Sequence, residues 1–257
     1  MPNPFRSRLL TPGVVQMYKP TGRSVRQDGN PEGDFLETTI KDKDDMKAQK
    51  KAASNKERLA EVYRAAAQII LRKGYDATSI NDIANALGMT KAGLYHYING
   101  KKELLFDIMN FGLDELEEEV VIPAHSIADP VARLRFIIAS HARLVTRGDG
   151  AITILVDEIT ALTPAQYRKI TRRKRAHFDR LREVLNELKA KGMLQDVDTT
   201  VATFSLLGMI NWLSRWFKHD GALREDQIAE EIAKMALNGL LRPESRAAQR
   251  GLRVVKD

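Results

Sequence analysis

The chain has 257 residues, 43% of them hydrophobic and 29% charged, with no cysteine and a formal net charge of +7. That length supports two domains, one with a sizeable core, and the absence of cysteine removes disulfides and thiolate chemistry from consideration. No apolar run reaches the roughly 18 residues a membrane helix needs, and the N-terminus lacks a signal-peptide centre, so a cytoplasmic protein without a membrane partner is expected.

Residues 1–50 mix Pro, Gly, Asp and Lys with few periodic apolar positions, and Lys41–Asp45 (KDKDD) is a charge run. This segment reads as a disordered extension. From Ser54 to Lys73 a long amphipathic helix is predicted, with Leu59, Val62, Tyr63, Ala66, Ile69 and Ile70 on one face and Gly74 as its stop.

The most informative stretch runs from Thr78 to Leu104. Ser79 or Thr78 can cap a helix whose apolar residues Ile80, Ile83, Ala84 and Leu87 recur three and four apart, and Gly88 ends it. Thr90 can cap a second helix carrying Leu94, Tyr97 and Ile98. Two short helices joined by a tight turn containing glycine make a helix-turn-helix, and small Ala84 lets them cross closely. The N-terminal part of the second helix in such a motif meets base edges, while neighbouring groups hold phosphates. The candidate DNA-binding residues are therefore Thr78, Ser79, Thr90, Lys91, Ala92, Gly93, Tyr95, His96 and Lys101. Amides at Thr78 and Ser79 are expected to add a helix N-terminus that favours anions, and Ala92 and Gly93 to permit close approach.

Gly74, Tyr75, Thr78, Ser79, Ile80, Asp82, Ile83, Ala84, Gly88, Thr90, Lys91, Leu94, Tyr95, Lys101, Glu103 and Leu104 together resemble the N-terminal signature of the TetR family of bacterial transcriptional regulators. Ile98 departs from the family's usual phenylalanine, and Ala92 stands where glycine or proline is frequent. The resemblance implies an all-α protein: an N-terminal three-helix helix-turn-helix DNA-binding domain (51–105), a C-terminal helical-bundle domain for ligand binding and dimerisation (106–242), and here a basic flexible tail (243–257).

Charge is distributed accordingly. Lys and Arg outnumber Asp and Glu by 10 to 7 over residues 1–53, by 8 to 5 over 54–104 and by 5 to 2 over 242–257, whereas 105–241 holds 18 against 20. Cationic excess thus coincides with the DNA-binding region and the two tails, where counterion release would supply affinity.

After Lys101 a helix continues through Leu104, Leu105, Ile108, Met109 and Leu116 into the acidic run Asp114–Glu119. No histidine partners those carboxylates at metal-ligand spacing, so the run reads as a solvated face and no metal or cofactor is expected. Further helices are predicted at 130–147, 151–161, 165–191, 198–218 and 224–241, bounded by Pro130, Gly150, Pro164, Gly192 and Gly221. In the TetR family the last two long helices pair with their copies as a four-helix bundle. The resemblance therefore implies a homodimer reading a palindrome in double-stranded DNA.

Two features bear on an effector. Leu207–Phe217 is apolar nearly all round, as expected of a helix buried in its own domain or shared with a partner. Arg168, Lys169, Arg172, Arg173, Lys174 and Arg175 cluster on one helix, where a solvated cationic face competes with a phosphate site. The run Asn211–Trp216 followed by Asp220, Gly221 and Leu223 is similar to the acyl-CoA-responsive branch that controls fatty-acid or steroid breakdown. The candidate ligand-binding residues are Met109, Phe136, Arg168, Arg172, Arg175, Met209, Asn211, Trp212 and Trp216. They suit a small hydrophobic effector such as an acyl-CoA, the alternative being the drug-like compound sensed by a repressor of an efflux operon. His96, His125, His141, His177 and His219 are scattered without a catalytic motif, so a ligand-released repressor is expected and an enzyme is not. A nonspecific architectural DNA protein is the remaining alternative.

Overall fold

The computed structural model describes residues 31–148, 150–157 and 161–245. The chain divides into two units, 1–51 and 52–257. Of the first, the described part is helical backbone from Pro31, where α1 (Pro31–Lys73) begins. The helix therefore starts well before Ser54. Of the extension expected to be disordered, residues 1–30 lie outside the described residues, and 31–50 are helical instead. Proline suits the first helical position, and between Asp34 and Lys50 neither proline nor glycine interrupts the chain. Of the expected tail, 246–257 also lies outside the described residues.

In the second unit, α1 buries Val62, Ala66, Ala67, Ile69 and Ile70. They share a core with Ile83 of α2 (Ile80–Ala86), Leu94 of α3 (Lys91–Tyr95), and Leu104, Leu105 and Ile108 of α4 (Lys101–Leu116). α4 runs on through a π-helical segment, Glu117–Val121, into α5 (Ile122–His125). Pro123 has no N–H to return to the preceding turn, and the amide of Ile122 reaches back five residues to the Glu117 carbonyl.

The remaining elements are α6 (Pro130–Thr146), α7 (Ala151–Asp157), α8 (Pro164–Ala190), α9 (Thr199–Asn211), α10 (Leu213–Trp216) and α11 (Glu225–Leu240). Side-chain caps fix several starts. Asp129 accepts from the amide of Ala132 at 2.8 Å, Thr163 and Gln166 form a capping box, and Asp198 accepts from the amides of Thr200 and Val201. The helix expected at 198–218 is interrupted at Trp212. The helix expected at 151–161 is seen as Ala151–Asp157, with 158–160 outside the described residues.

α6 is the central rod. It buries Val131, Leu134, Ile137, Ile138, Ala142, Leu144 and Val145 and packs against α8, α9, α10 and α11. α8 is one-sided: Ile170, His177, Leu181, Leu185 and Leu188 face the core at helical spacing, and charged residues cover the opposite face. Among the described residues no strand forms, and the one extended pairing is an isolated antiparallel bridge between Leu194 and Leu241. The fold is all-α, as the sequence led us to expect.

α4 and α7 approach closely at Gly112, where an added Cβ would lie 3.1 Å from the carbonyl carbon and oxygen of Ala151. Replacing a mid-helix glycine gains about 1 kcal/mol of propensity at most, whereas overpacking typically costs about 1–3 kcal/mol. Because the obstacle is backbone, the cost should win. Gly112→Val is expected to lower the urea midpoint at unchanged m-value, and an unaltered midpoint would show that the two helices separate freely.

Candidate nucleic-acid interface and effector cavity

The helix-turn-helix is assembled by its caps. Ser79 precedes α2 in extended conformation, its hydroxyl accepts from the Asp82 amide at 3.1 Å, and its own amide donates to Asp82 Oδ2 at 2.8 Å. Lys73 Nζ donates to Asp82 Oδ1 at 2.7 Å. That bond, with those from Ser79, holds the Asp82 carboxyl well below the usual carboxylate range. Gly88, at φ +63°, makes the turn in the left-handed region that glycine adopts without strain. Thr90 then caps α3 by accepting from the Gly93 amide at 3.0 Å.

With Leu94 driven fully into the core, the outer face of α3 presents Lys91, Ala92, Tyr95 and His96, all exposed, beside the exposed Thr90. Four of the expected residues do other work. Thr78 is only 2% exposed, its hydroxyl donates to the Gly74 carbonyl at 2.8 Å and its amide to the Tyr75 carbonyl. It braces the loop before α2 and cannot face DNA with its side chain. Ser79 is exposed but spends amide and hydroxyl on Asp82, so the anion-binding amides expected at positions 78 and 79 are both occupied. Gly93 is half-buried under its own cap, where a Cβ would stand 3.2 Å from Thr90 Oγ1; its smallness serves the cap. Lys101 donates to the Asp76 carbonyl at 3.1 Å and sits 4.3 Å from the centre of the Tyr75 ring, tying the start of α4 to the loop before α2. Asn81, Asn85, Asn99 and Lys102 are exposed polar residues on the same motif that the sequence reading omitted. Their positions opposite Ile83 and Ala84, or next to Gly100, were the available signal.

Behind this motif, α4 connects to α1 and to the end of α6 through a buried carboxylate. Glu115 accepts from Arg64 of α1 at 2.9 Å and from Arg147, at the end of α6, at 2.8 Å; Arg147 also donates to Glu119. Two further contacts tie α8 to α4. Gln166 donates to Glu103 at 3.0 Å, and Arg173 donates to the Asn110 side chain at 2.9 Å.

Several cavities lie beyond, among them an open one of about 680 Å³ beside Val145, Thr153, Leu213 and His219 and two that share a residue. A cleft of about 280 Å³ is lined by Val120, Val121, Ala124, Ile137, Leu181 and Val184, with Arg133, Arg180, Glu183 and Glu187 among its polar residues. An inner cavity of about 80 Å³ is lined by Leu113, Leu116, His141, Ile152, Leu155, Lys174, Leu207 and Asn211. His177 lines both. Burial lowers the Lys174 ammonium from its ordinary value, and it donates to the Leu155 carbonyl at 2.9 Å. His141 and His177 are 3% and 9% exposed, with ring centres 5.4 Å apart edge to face. His141 Nδ1 and both ring nitrogens of His177 have no hydrogen-bond partner among the described residues. An unsatisfied buried polar atom costs about 1–3 kcal/mol, so the pair is an expensive feature for a plain core.

Of the expected effector residues, Asn211 alone lines either cavity. Met109 is fully buried in the core, and Phe136 and Met209 pack half-buried against it. Arg168 and Arg172 lie exposed on the outer face of α8, and Arg175 pairs with Asp179 at 3.1 Å across the Phe178 ring. Trp212 and Trp216, 64% and 47% exposed, stand on the surface. The inward face of α9 and α10 is taken by Leu206, Ile210 and Leu213, which turns the tryptophans outward. The histidines read only as scattered positions without a catalytic motif, and nothing in their spacing showed that two would be buried with nitrogens lacking partners.

A capped helix-turn-helix braced by a helical domain with internal cavities defines a DNA-binding regulator. The comparisons agree. A family model described as "Bacterial regulatory proteins, tetR family" matches residues 62–108, and one described as "Tetracyclin repressor-like, C-terminal domain" matches 128–240. The structure of AibR in complex with isovaleryl coenzyme A and operator DNA is 42% identical, with a TM-score of 0.63 over 69% of this chain and 97% of AibR. The TetR family regulator PfmR of Thermus thermophilus is 33% identical, with a TM-score of 0.63 over 70% of this chain and 99% of PfmR. The transcriptional repressor KstR2 of Rhodococcus jostii is 25% identical over 189 residues, 72% of this chain and 92% of the relative. The chain belongs to the TetR family: it is a transcriptional regulator and not an enzyme. Among the described residues no helix is long and apolar enough to cross a membrane.

The imidazole pair makes stability depend on pH. Burial, then the neighbouring His177, lowers His141 to about 3; burial, then Arg180, lowers His177 to about 4, with Glu117 opposing. The unfolded chain takes up these protons near pH 6.5 and the folded one only well below, so acid favours unfolding. Stability should be intact above about pH 6.5 and fall below it, by up to about 1.4 kcal/mol per pH unit for each imidazole. Thermal melts at about pH 7.5 and about pH 5.0, on either side of the unfolded value, should differ less for His141→Leu/His177→Leu than for wild type; equal drops would place the acid sensitivity elsewhere.

Proposed function

We propose that the protein is a homodimeric repressor that leaves a palindromic operator when an acyl-CoA occupies its C-terminal domain. The observation that carries this reading is the 42% identity with AibR, whose complex holds both isovaleryl coenzyme A and operator DNA. The internal cavities supply a place for the acyl part, and a partner supplies cover for the exposed tryptophans. α9 exposes Val201, Phe204 and Gly208, and Trp212 just past its end continues the three-and-four spacing, while α11 exposes Met235 and Gly239. A dimer that reads a palindrome needs its two α3 helices about 34–36 Å apart, one turn of DNA.

Ligand and DNA communicate through α4. Its 16 residues span about 24 Å, from the Lys101 tie at the helix-turn-helix to the π segment, whose Val120 and Val121 wall the cleft. An effector that displaces that wall moves the rod, and Glu115 passes the movement to Arg64 on α1. The effector acts only as far as it binds the released state better.

The operator is obtained by sequencing DNA that co-purifies with the protein. Lys91→Ala is expected to weaken binding to it and to flatten the salt dependence by about one phosphate's worth, and Tyr95→Ala to weaken it by about tenfold, the scale of one lost contact. Unchanged affinity in both would reject α3 as the reading helix. Isovaleryl-CoA should release the wild-type complex at concentrations where free coenzyme A does not; the absence of release by any acyl-CoA would overturn the effector assignment and favour a drug-like ligand. Sedimentation should give twice the chain mass, and Phe204→Glu/Trp212→Glu should halve it with helix content retained.

A further inference from the structure

Buried polar groups ordinarily find partners within the fold, yet the interior side of α6 and α8 holds three imidazole nitrogens that do not. They sit at one place. His177 is shared by the outer cleft and the inner cavity, and His141 lines the inner cavity beside it. Both side chains are more than nine-tenths buried, and their rings stand edge to face at 5.4 Å. The inner wall is mainly aliphatic, with Leu113, Leu116, Ile152, Leu155 and Leu207 beside Lys174 and Asn211, whereas the outer cleft mixes Val120, Ile137 and Leu181 with Arg133, Arg180, Glu183 and Glu187. An uncharged imidazole offers one N–H donor and one lone pair, and the mainly aliphatic inner wall favours an uncharged group to meet them.

We propose that His141 and His177 form a polar gate between the two cavities that hydrogen-bonds the carbonyl of an acyl thioester, seating the acyl tail in the inner cavity and the rest of the effector in the outer cleft. The proposal rests on the acyl-CoA reading above and specifies where the thioester end of the molecule lies. Chemistry and size favour it together. A carbonyl oxygen accepts from an imidazole N–H without bringing charge into the core. The inner cavity of about 80 Å³ is far below the roughly 300–1,000 Å³ that drug-sized ligands fill. It suits a short or branched tail and excludes a fused-ring skeleton. Asn211 and Lys174 stand at the same cavity; the Lys174 ammonium donates to the Leu155 carbonyl at 2.9 Å, whereas three of the imidazole nitrogens are buried without a partner among the described residues.

The test uses the full-length wild-type protein and two probes, isovaleryl-CoA and its thioether analogue, S-(3-methylbutyl)-coenzyme A, which lacks only the carbonyl oxygen. Calorimetric titration should give at least about tenfold tighter binding for the thioester, the scale of one lost hydrogen bond in a buried site. Nitrogen-15 spectra of the histidines should show the His141 and His177 resonances moving with the thioester. In His177→Leu the preference between the probes should vanish. If the two probes bind wild type equally, or the imidazole resonances stay still when the thioester binds, the gate is overturned while the acyl-CoA reading stands; a buried water would then be the occupant. If neither probe binds, the effector reading itself fails and takes the gate with it.

Discussion

Glu115 is the interaction on which the arrangement of this protein turns. A carboxylate taken out of water is costly unless charge and hydrogen bonds replace its hydration, and here the replacements come from two separate elements, Arg64 on α1 and Arg147 at the end of α6. The acid sits on α4, so one side chain pins the helix behind the DNA-facing motif to the helix at the centre of the bundle. The arginines remain more than a third exposed, which keeps the attraction moderate and sensitive to small shifts. Beside it Tyr63 packs on Phe111 at 5.6 Å, and burial pushes the Tyr63 phenol up to about 12. The joint between the two functional regions is therefore part of a continuous core, and the apolar cluster running from Val62 to Leu241 has no seam at residue 105.

The distribution of polar groups follows from that continuity. Near the DNA-facing end, polar side chains are satisfied locally: Ser79 with Asp82, Thr90 with Gly93, Lys101 with Asp76. This makes the reading surface rigid before it meets DNA, so little ordering entropy is left for binding to overcome. Deeper in the bundle the opposite holds, since His141 and His177 are buried with nitrogens unsatisfied. Rigidity at one end thus contrasts with unused hydrogen-bonding capacity inside the other.

Much of this was legible in the sequence. Helix starts were readable where Pro130 and Pro164 stand at the first helical position, and the helix-turn-helix because Ser79, Gly88 and Thr90 leave few alternatives. Tertiary choices were less visible. Thr78 and Ser79 both suit a cap, and only the packed loop shows that Thr78 turns inward to the Gly74 carbonyl. Trp212 and Trp216 were read as ligand-binding candidates because they are large and apolar on a helix apolar nearly all round, yet Leu206, Ile210 and Leu213 occupy the inward face of the same stretch. The cations Arg168, Arg172 and Arg175 formed a conspicuous run, but the side chains at the cleft, Arg133 and Arg180, come from different helices and have no shared pattern along the chain. The π segment left no periodic signature either, since Pro123 acts on the turn before it.

That segment has a consequence for helical phase. An α-helix turns about 100° per residue, and a widened turn takes up one residue more, so the chain beyond it is out of step with what a regular helix would present by about that angle. Val120 and Val121 form the cleft wall, and Glu115 keeps its arginines, only while the surplus residue stays in place. Regularising the turn would leave the contacts of Glu115 intact and swing the wall aside, or preserve the wall and rotate the acid away. Glu115 at the end of α4 and the valines of the π segment are thus held in a phase relation that a regular helix could not satisfy for both.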